Sequence, residues 1–292
     1  MKKMTKVAAI AAALCLTVGM IAGCSSNGGS ASSSSSASSS SADTAAVTTG
    51  AASTGTLIVG FDQEYPPYGF VGDDGAYTGF DLDLATEVAQ RNNWEVVLEP
   101  IDWDAKDALL GQGSINCIWN GFTMEGREDN YEFSQPYMLN EQVVVVKADS
   151  DIDALTGLAD KTVITQVDSA ALEVLEGDQS MLTETFANLD QISDYNNAFM
   201  QLESGMVDAV ACDLSIAEYQ MAAKPDTFVI LSEPLSAEHY AVGFKLGDTE
   251  TAALVNATLL EMYEDGTIQT LCEKYSEYGL NFDNWVLTKA VS

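Results

Sequence analysis

Basic side chains are scarce in this 292-residue chain: 12 Lys and Arg stand against 44 Asp and Glu, with a single histidine. Only Arg91 and Arg127 are arginines. Without the three lysines near the N-terminus, nine basic groups face 44 acidic ones, a net charge of −35. Such a surface argues against binding nucleic acid or anionic lipid through the protein itself. Cysteine is sparse as well. Cys117, Cys212 and Cys272 form an odd, widely spaced set, which excludes a disulfide framework in the folding part. Cys117 in "INCIW" and Cys212 in "DAVACD" lie in apolar runs and read as buried small hydrophobes. One His239 and no paired Cys or His leave no zinc motif. No Ser-His-Asp or Cys-His arrangement offers a nucleophile, so neither catalysis nor a cofactor is expected. Long apolar runs are missing too. "VAAIAAALCLTVGMI" spans 15 residues, short of the about 20 that a membrane-crossing helix needs.

That run follows "MKKMTK" and precedes "AGC", the basic, apolar and small-residue order of a secretory leader. The cysteine after "IAG" resembles a bacterial lipobox. The resemblance implies a leader at 1–23, cleavage before Cys24 and a lipid on its thiol. Residues 24–55 are rich in Ser, Ala and Gly, nearly uncharged and without periodicity, so they read as a flexible tether. The expectation is a folded domain outside the cytoplasm, held at the membrane by its N-terminal lipid.

From Thr56 to about Trp285 the pattern alternates between short apolar runs and amphipathic segments. "TLIVGF", "WEVVLEP", "SINCIWNGF", "EQVVVVKA", "KTVITQ", "MVDAVACD", "TFVILS" and "HYAVGFKL" read as strands. "GFDLDLATEVAQRN" reads as a helix with Asp81 as candidate cap and Leu82, Ala85, Val88 and Ala89 on one face. Other helices follow, several stopped by glycine, as at Gly113 and Gly205. Alternation of this length predicts α/β architecture with parallel sheets. "ALLGQGSINCIWNG" and "MQLESGMVDAVACD" superpose without gaps, so that Leu110 falls on Leu202, Gly113 on Gly205 and Gly121 on Asp213. Each is a helix, a glycine stop and a strand, and ligands gather at the carboxyl edges of such strands. Two similar lobes facing one cleft are expected.

Several ordered motifs then carry a resemblance: "VGFDQEYPPYGF", "GAYTGFDLDLATEVA", "IDWDAKDALLGQGSINCIWNGFTMEGRE", "FSQPY", "LADKTVITQVDSAA", "AFMQLESGMVDAVACDLSIAEY" and "LEMYEDGTIQTLCEKY". Together they resemble the polar amino-acid-binding proteins of bacterial ABC importers, solute-binding protein family 3. The likeness implies a type II periplasmic-binding-protein-like fold, with two lobes joined by two crossing strands. Lobe 1 would be 56–143 with 240–292, and lobe 2 would be 144–239. It also implies a free L-amino acid as ligand, with a permease and its ATPase as partners.

The same resemblance assigns residues. Arg127 grips the ligand α-carboxylate, helped by Gly121 and Thr123; a planar guanidinium suits a carboxylate through two parallel hydrogen bonds. Asp213 takes the α-ammonium. Ser169 and Ala170, opening a helix, face the carboxylate. Tyr65, Trp103 and Phe122 wall the side chain, and Asp62, Asn120 and Gln166 touch polar groups. Three departures stand out. "TMEGR" is one residue shorter than the family's element, Asp168 stands where the family has glycine, and Ala170 lacks a common hydroxyl. The plainer alternatives are a surface ion pair of Arg127 with Glu128 or Asp129, and Asp213 as a helix cap. His239 and Tyr240 read as packing at the hinge. The rival function is a cyclohexadienyl-dehydratase-like enzyme on the same fold, with Glu64 or Glu141 as candidate general acid.

Overall fold

The computed structural model describes residues 55–288. The expected leader, Cys24 and all but the last residue of the expected tether lie outside them. Strand β1 (Thr56–Phe61) leads into a small antiparallel sheet of β2 (Glu64–Tyr65), β3 (Gly69–Val71) and β4 (Tyr77–Thr78). Helix α1 (Phe80–Arg91) connects to β5 (Glu95–Pro100), which pairs with β1 in parallel. Helix α2 (Lys106–Gln112) connects to β6 (Cys117–Ile118), parallel to β1 on its other side. After β7 (Tyr131–Phe133), the ten-residue β8 (Met138–Lys147) carries the chain into a second sheet.

There β9 (Thr162–Gln166), α3 (Ala170–Glu176), α4 (Ser180–Thr183), β10 (Asn188–Ile192), α5 (Tyr195–Ser204) and β11 (Ala209–Asp213) follow in turn. Helix α6 (Leu214–Ala223) and β12 (Phe228–Ile230) complete this half. Strand β13 (Ser236–Tyr240) returns antiparallel to β8, and β14 (Gly243–Lys245) inserts between β6 and β7. Helices α7 (Thr249–Glu264) and α8 (Thr267–Lys274) follow. The first sheet runs β5-β1-β6-β14-β7. The second runs β10-β9-β11-β8-β12, with β13 also on β8. Two α/β lobes result, and β8 and β13 are the strands that cross between them.

Both sheets are mixed rather than wholly parallel, because β8 and β14 run against their neighbours. The echo between the halves is structural. Gly113 and Gly205 end α2 and α5 in the same left-handed conformation (φ 78° and 75°), each closing the last turn with its own N–H. Helix α1 buries Leu82, Ala85, Val88 and Ala89 as their spacing requires, together with Phe80 and Leu84. Each large apolar side chain withdrawn this way contributes about 1.5–3 kcal/mol of transfer free energy. The three cysteines among the described residues are buried and unpaired.

Asp81 is not the cap of α1. Gly79 holds that position, and the Asp81 carboxylate turns inward to accept from the Gly121 N–H (2.6 Å) and the Tyr137 hydroxyl (2.7 Å). Burial pushes it up to about 7. The short strands β2–β4, β7 and β10 carry too few apolar residues to be read from the sequence.

Candidate functional site

The carboxyl ends of β6 and β11, matched by the sequence echo, both open on one small cavity between the lobes. It is a tight space of about 10 Å³, room for roughly one water, and it is lined by Tyr65, Trp103, Gly121, Thr123, Arg127, Gln166, Ser169, Ala170 and Asp213. Nine of the twelve expected residues are therefore brought together from both lobes. Asp62, Asn120 and Phe122 sit just behind it. Two larger clefts adjoin. One, of about 340 Å³, includes Asp62 and Trp103; the other, of about 400 Å³, includes Thr123, Ala170 and Glu238.

Arg127 is 5% exposed and follows a tight turn. Its N–H donates to Met124 O, and Gly126 at φ 80° supplies the left-handed residue that this turn needs. The shortened "TMEGR" segment is thus a complete turn. The guanidinium lies over the Phe122 ring, 5.0 Å from its centroid. Phe122, fully buried, supports the arginine and does not line the cavity. Nη1 donates to Thr123 O (3.2 Å), while Nε and Nη2 donate to Glu173 Oε1 on α3 (3.2 and 2.9 Å). Arg127 is therefore neither solvated nor paired with Glu128 or Asp129. Its ion pair spans the two lobes.

Across the cavity Asp213 occupies the position before α6, but its side chain makes no capping bond. Its Oδ1 instead accepts from Asn140 Nδ2 (2.9 Å), Gln142 Nε2 (2.8 Å) and the Tyr240 hydroxyl (2.8 Å). Burial raises it above the ordinary carboxylate range. The Thr123 hydroxyl donates to Glu238 Oε1 (2.8 Å), and the Gly121 N–H is held by Asp81. Both groups, expected beside the Arg127 site, are turned to other partners. Gly121 keeps a structural reason to be glycine. Its φ is 58°, and a Cβ there would come within 3.0 Å of the Tyr65 ring.

Ser169 caps α3 by accepting from Leu172 N–H (3.2 Å), with Ala170 as the first helical residue. Asp168 precedes them at φ 58°, a conformation that glycine adopts freely and Asp tolerates. Its carboxylate pairs with Lys106, and its carbonyl accepts from Trp103 Nε1 (3.2 Å). The charge that replaces glycine is therefore neutralised from the other lobe. Gln166 Nε2 bridges the lobes as well, donating to Asp62 Oδ2 (2.7 Å) and Ser193 O (2.9 Å). Burial pushes Asp62 up to about 6. Asn120 fixes the end of β1 by accepting from the Asp62 N–H (2.9 Å).

Sequence reasoning missed Glu173, Glu238, Asn140, Gln142 and Lys106, and took Tyr240 for packing. For some a signal existed: Asn140 and Gln142, like Glu238 and Tyr240, are two apart on strands, so each pair shares a face. Glu173 and Lys106 have no such signal, because their partners lie in the opposite lobe.

The family described as bacterial extracellular solute-binding proteins, family 3, matches residues 57–278. The L-cystine-binding protein TcyJ of Escherichia coli (strain K12) is 30% identical over 225 residues, covering 76% of this chain and 82% of that protein. The arginine-binding extracellular protein ArtP of Bacillus subtilis is 27% identical, covering 75% and 85%. Among solved structures, an ABC uptake transporter substrate-binding protein from Streptococcus pneumoniae with bound histidine is similar. It has a TM-score of 0.73 and 33% identity, covering 75% of this chain and 92% of that one. The fold is accordingly the two-lobed type II periplasmic-binding-protein-like architecture.

Proposed function

The chain belongs to the bacterial extracellular solute-binding proteins, family 3, and from that premise we propose that it captures a free L-amino acid in the cavity between its lobes and delivers it to an ABC importer. One observation supports this most directly. Arg127 and Asp213 lie in opposite lobes and line the same cavity, both buried. A guanidinium facing a carboxylate across a small space is the complement of a zwitterion. Each lobe alone meets half of such a ligand, so the ligand stabilises the closed arrangement by bridging them. The closed shape is what a permease, working with its ATPase, distinguishes.

The lobes in this reading are 56–143 with 240–292, and 144–239. Their boundaries fall within or at the end of β8 and β13. Cys24 carries a lipid after removal of the leader 1–23, and the tether 24–55 holds the protein outside the cell membrane while leaving it free to move. The relatives named above are binding proteins, which favours capture without chemistry. Glu141 lines neither the small cavity nor the clefts beside it, and Glu64 lines only the cleft next to Asp62, so neither stands inside the small cavity as the general acid that a dehydratase would need. Incubation with prephenate or arogenate is expected to yield no product.

The relatives bind cystine, arginine and histidine, so the side chain is to be decided by experiment. A thermal-shift screen of the twenty L-amino acids and cystine is expected to give a clear shift with one or a few. Arg127→Ala is expected to abolish it. A variant that binds with wild-type affinity would remove Arg127 from the carboxylate site.

A further inference from the structure

Three neighbouring strands place a row of polar side chains at the floor of the site. Glu238 on β13 lies directly opposite Asn140 on β8, and Gln142 on β8 lies opposite Asp213 on β11. Asn140 Nδ2 donates to Asp213 Oδ1 (2.9 Å) and to Glu238 Oε1 (2.8 Å). Gln142 Nε2 donates to the same two oxygens, at 2.8 Å each. The two carboxylates thus share both NH2 groups and stand only one such group apart. Their exposures are 4% and 3%. Their other donors are the neutral hydroxyls of Tyr65, Tyr240 and Thr123, and no ion pair among the described residues includes either acid.

Two buried like charges this close, met only by neutral donors, are costly, and the pair lowers that cost by retaining a proton or accepting a cation. Burial and the neighbouring Asp213 charge push Glu238 up to about 7. The other titratable groups nearby do not relieve the pair. The phenols of Tyr65, Tyr68, Tyr195 and Tyr240 are driven well above their ordinary value by burial and stay neutral. Cys212, beside Asp213, is likewise driven up by burial. Arg127 is engaged by Glu173 and Thr123 O, and the His239 ring is paired with Glu125.

We propose that Asp213 and Glu238 form a single receptor that holds one proton in the free protein and exchanges it for the ammonium group of the ligand. The proposal rests on the amino-acid-binding reading and adds Glu238 to it as a positioning residue that acts through Asp213. The exchange balances simply. An alkylammonium enters, one carboxyl O–H breaks, and its proton leaves to water while the electron pair stays on the carboxylate. Glu238 lines the adjoining cleft of about 400 Å³, which gives that proton a way out. Affinity falls with acidity as a result. Well below pH 7 the ligand must expel a full proton, so binding weakens about tenfold per pH unit; the dependence levels off at about pH 8, before the free amino acid loses its own ammonium proton.

Isothermal titration calorimetry of the protein with L-arginine, L-glutamine and L-cystine in turn, in buffers of different ionisation enthalpy, tests this. For a probe that binds at pH 6.5, the observed enthalpy is expected to vary with buffer ionisation enthalpy with a slope of roughly one released proton, falling to near zero at about pH 8. Glu238→Gln is expected to abolish the slope and make affinity independent of pH between 6 and 8. A wild-type slope of zero at pH 6.5, or a slope unchanged in Glu238→Gln, overturns the proposal. The proton is also read without any amino acid: with glutamate side-chain carboxyls labelled with ¹³C, one resonance titrates near pH 7 in the wild type and is missing in Glu238→Gln. Absence of that resonance overturns the proposal even if the variant does not fold. Its presence in a protein that binds none of the amino acids in the thermal screen instead overturns the amino-acid-binding reading.

Discussion

Arg127 reaches the cavity with its contacts already distributed: Phe122 beneath it, Thr123 O on one nitrogen and Glu173 on two others. In the proposed amino-acid complex the ligand carboxylate replaces Glu173, which holds the same fork of donors. Asp213 is equally constrained, with three donors on one oxygen. The hydroxyl of Tyr240 is the one whose removal changes least in shape. Tyr240→Phe withdraws a donor from a buried carboxylate, a loss of about 1.5 kcal/mol for the charged form, at the low end for a bond to a charged group. Amino-acid affinity at neutral pH is expected to fall about tenfold, with the melting temperature little changed. Calorimetric titration checks this, and an unaltered affinity would place Tyr240 outside the Asp213 receptor. Arg127 and Asp213 were legible from their motifs. Glu173 was not, because its role depends on a residue 46 positions away in the other lobe.

At the scale of elements, the turn into α1 shows how little room a motif leaves. Gly79 stands at φ 147°, its N–H donates to the Tyr275 hydroxyl (3.0 Å), and a Cβ there would lie 2.2 Å from Tyr68 O. That contact is to backbone, which cannot rotate away. Gly79→Ala is expected to destabilise the fold by about 3 kcal/mol or more, seen as a lower midpoint in urea unfolding; a midpoint within error of wild type would mean that the turn relaxes. Strands β8 and β13 teach the converse. Polar residues at alternate positions were visible, and their apolar neighbours fixed which face they share. Which partners they meet depended on register: one residue of slip would have turned Glu238 and Asn140 away from Asp213.

On the scale of the whole molecule, the lobes are held together across the cavity by the Arg127–Glu173 and Lys106–Asp168 ion pairs and by the Gln166–Asp62 bond. Lys106 is almost fully buried, and burial lowers its pKa even with Asp168 beside it. A buried cation stripped of its partner disfavours the closed arrangement. Glu173→Ala is therefore expected to shift the amino-acid-free protein towards an open form with a larger radius of gyration in small-angle scattering. Saturating amino acid would restore the compact value, because its carboxylate replaces Glu173. Equal radii for wild type and variant without amino acid would show that this ion pair does not hold the lobes.

Helix and strand periodicity, the glycine stops and the two echoing strand ends were decided by the sequence alone, since local sterics and one-sided burial act over a few residues. So was the placing of Arg127 and Asp213 on one cavity, because ordered motifs put Asp213 at the end of β11 and Arg127 in the loop that follows β6. The conduct of individual polar groups was decided only by tertiary structure. The hydroxyl of Thr123, the amide of Gly121, the carboxylate of Asp81 and the Asp213–Glu238 pair each took whichever partner the packed lobes brought within 3 Å. Hydrogen bonds of that kind join residues distant in sequence, and a buried polar group must satisfy itself with the neighbours that folding supplies.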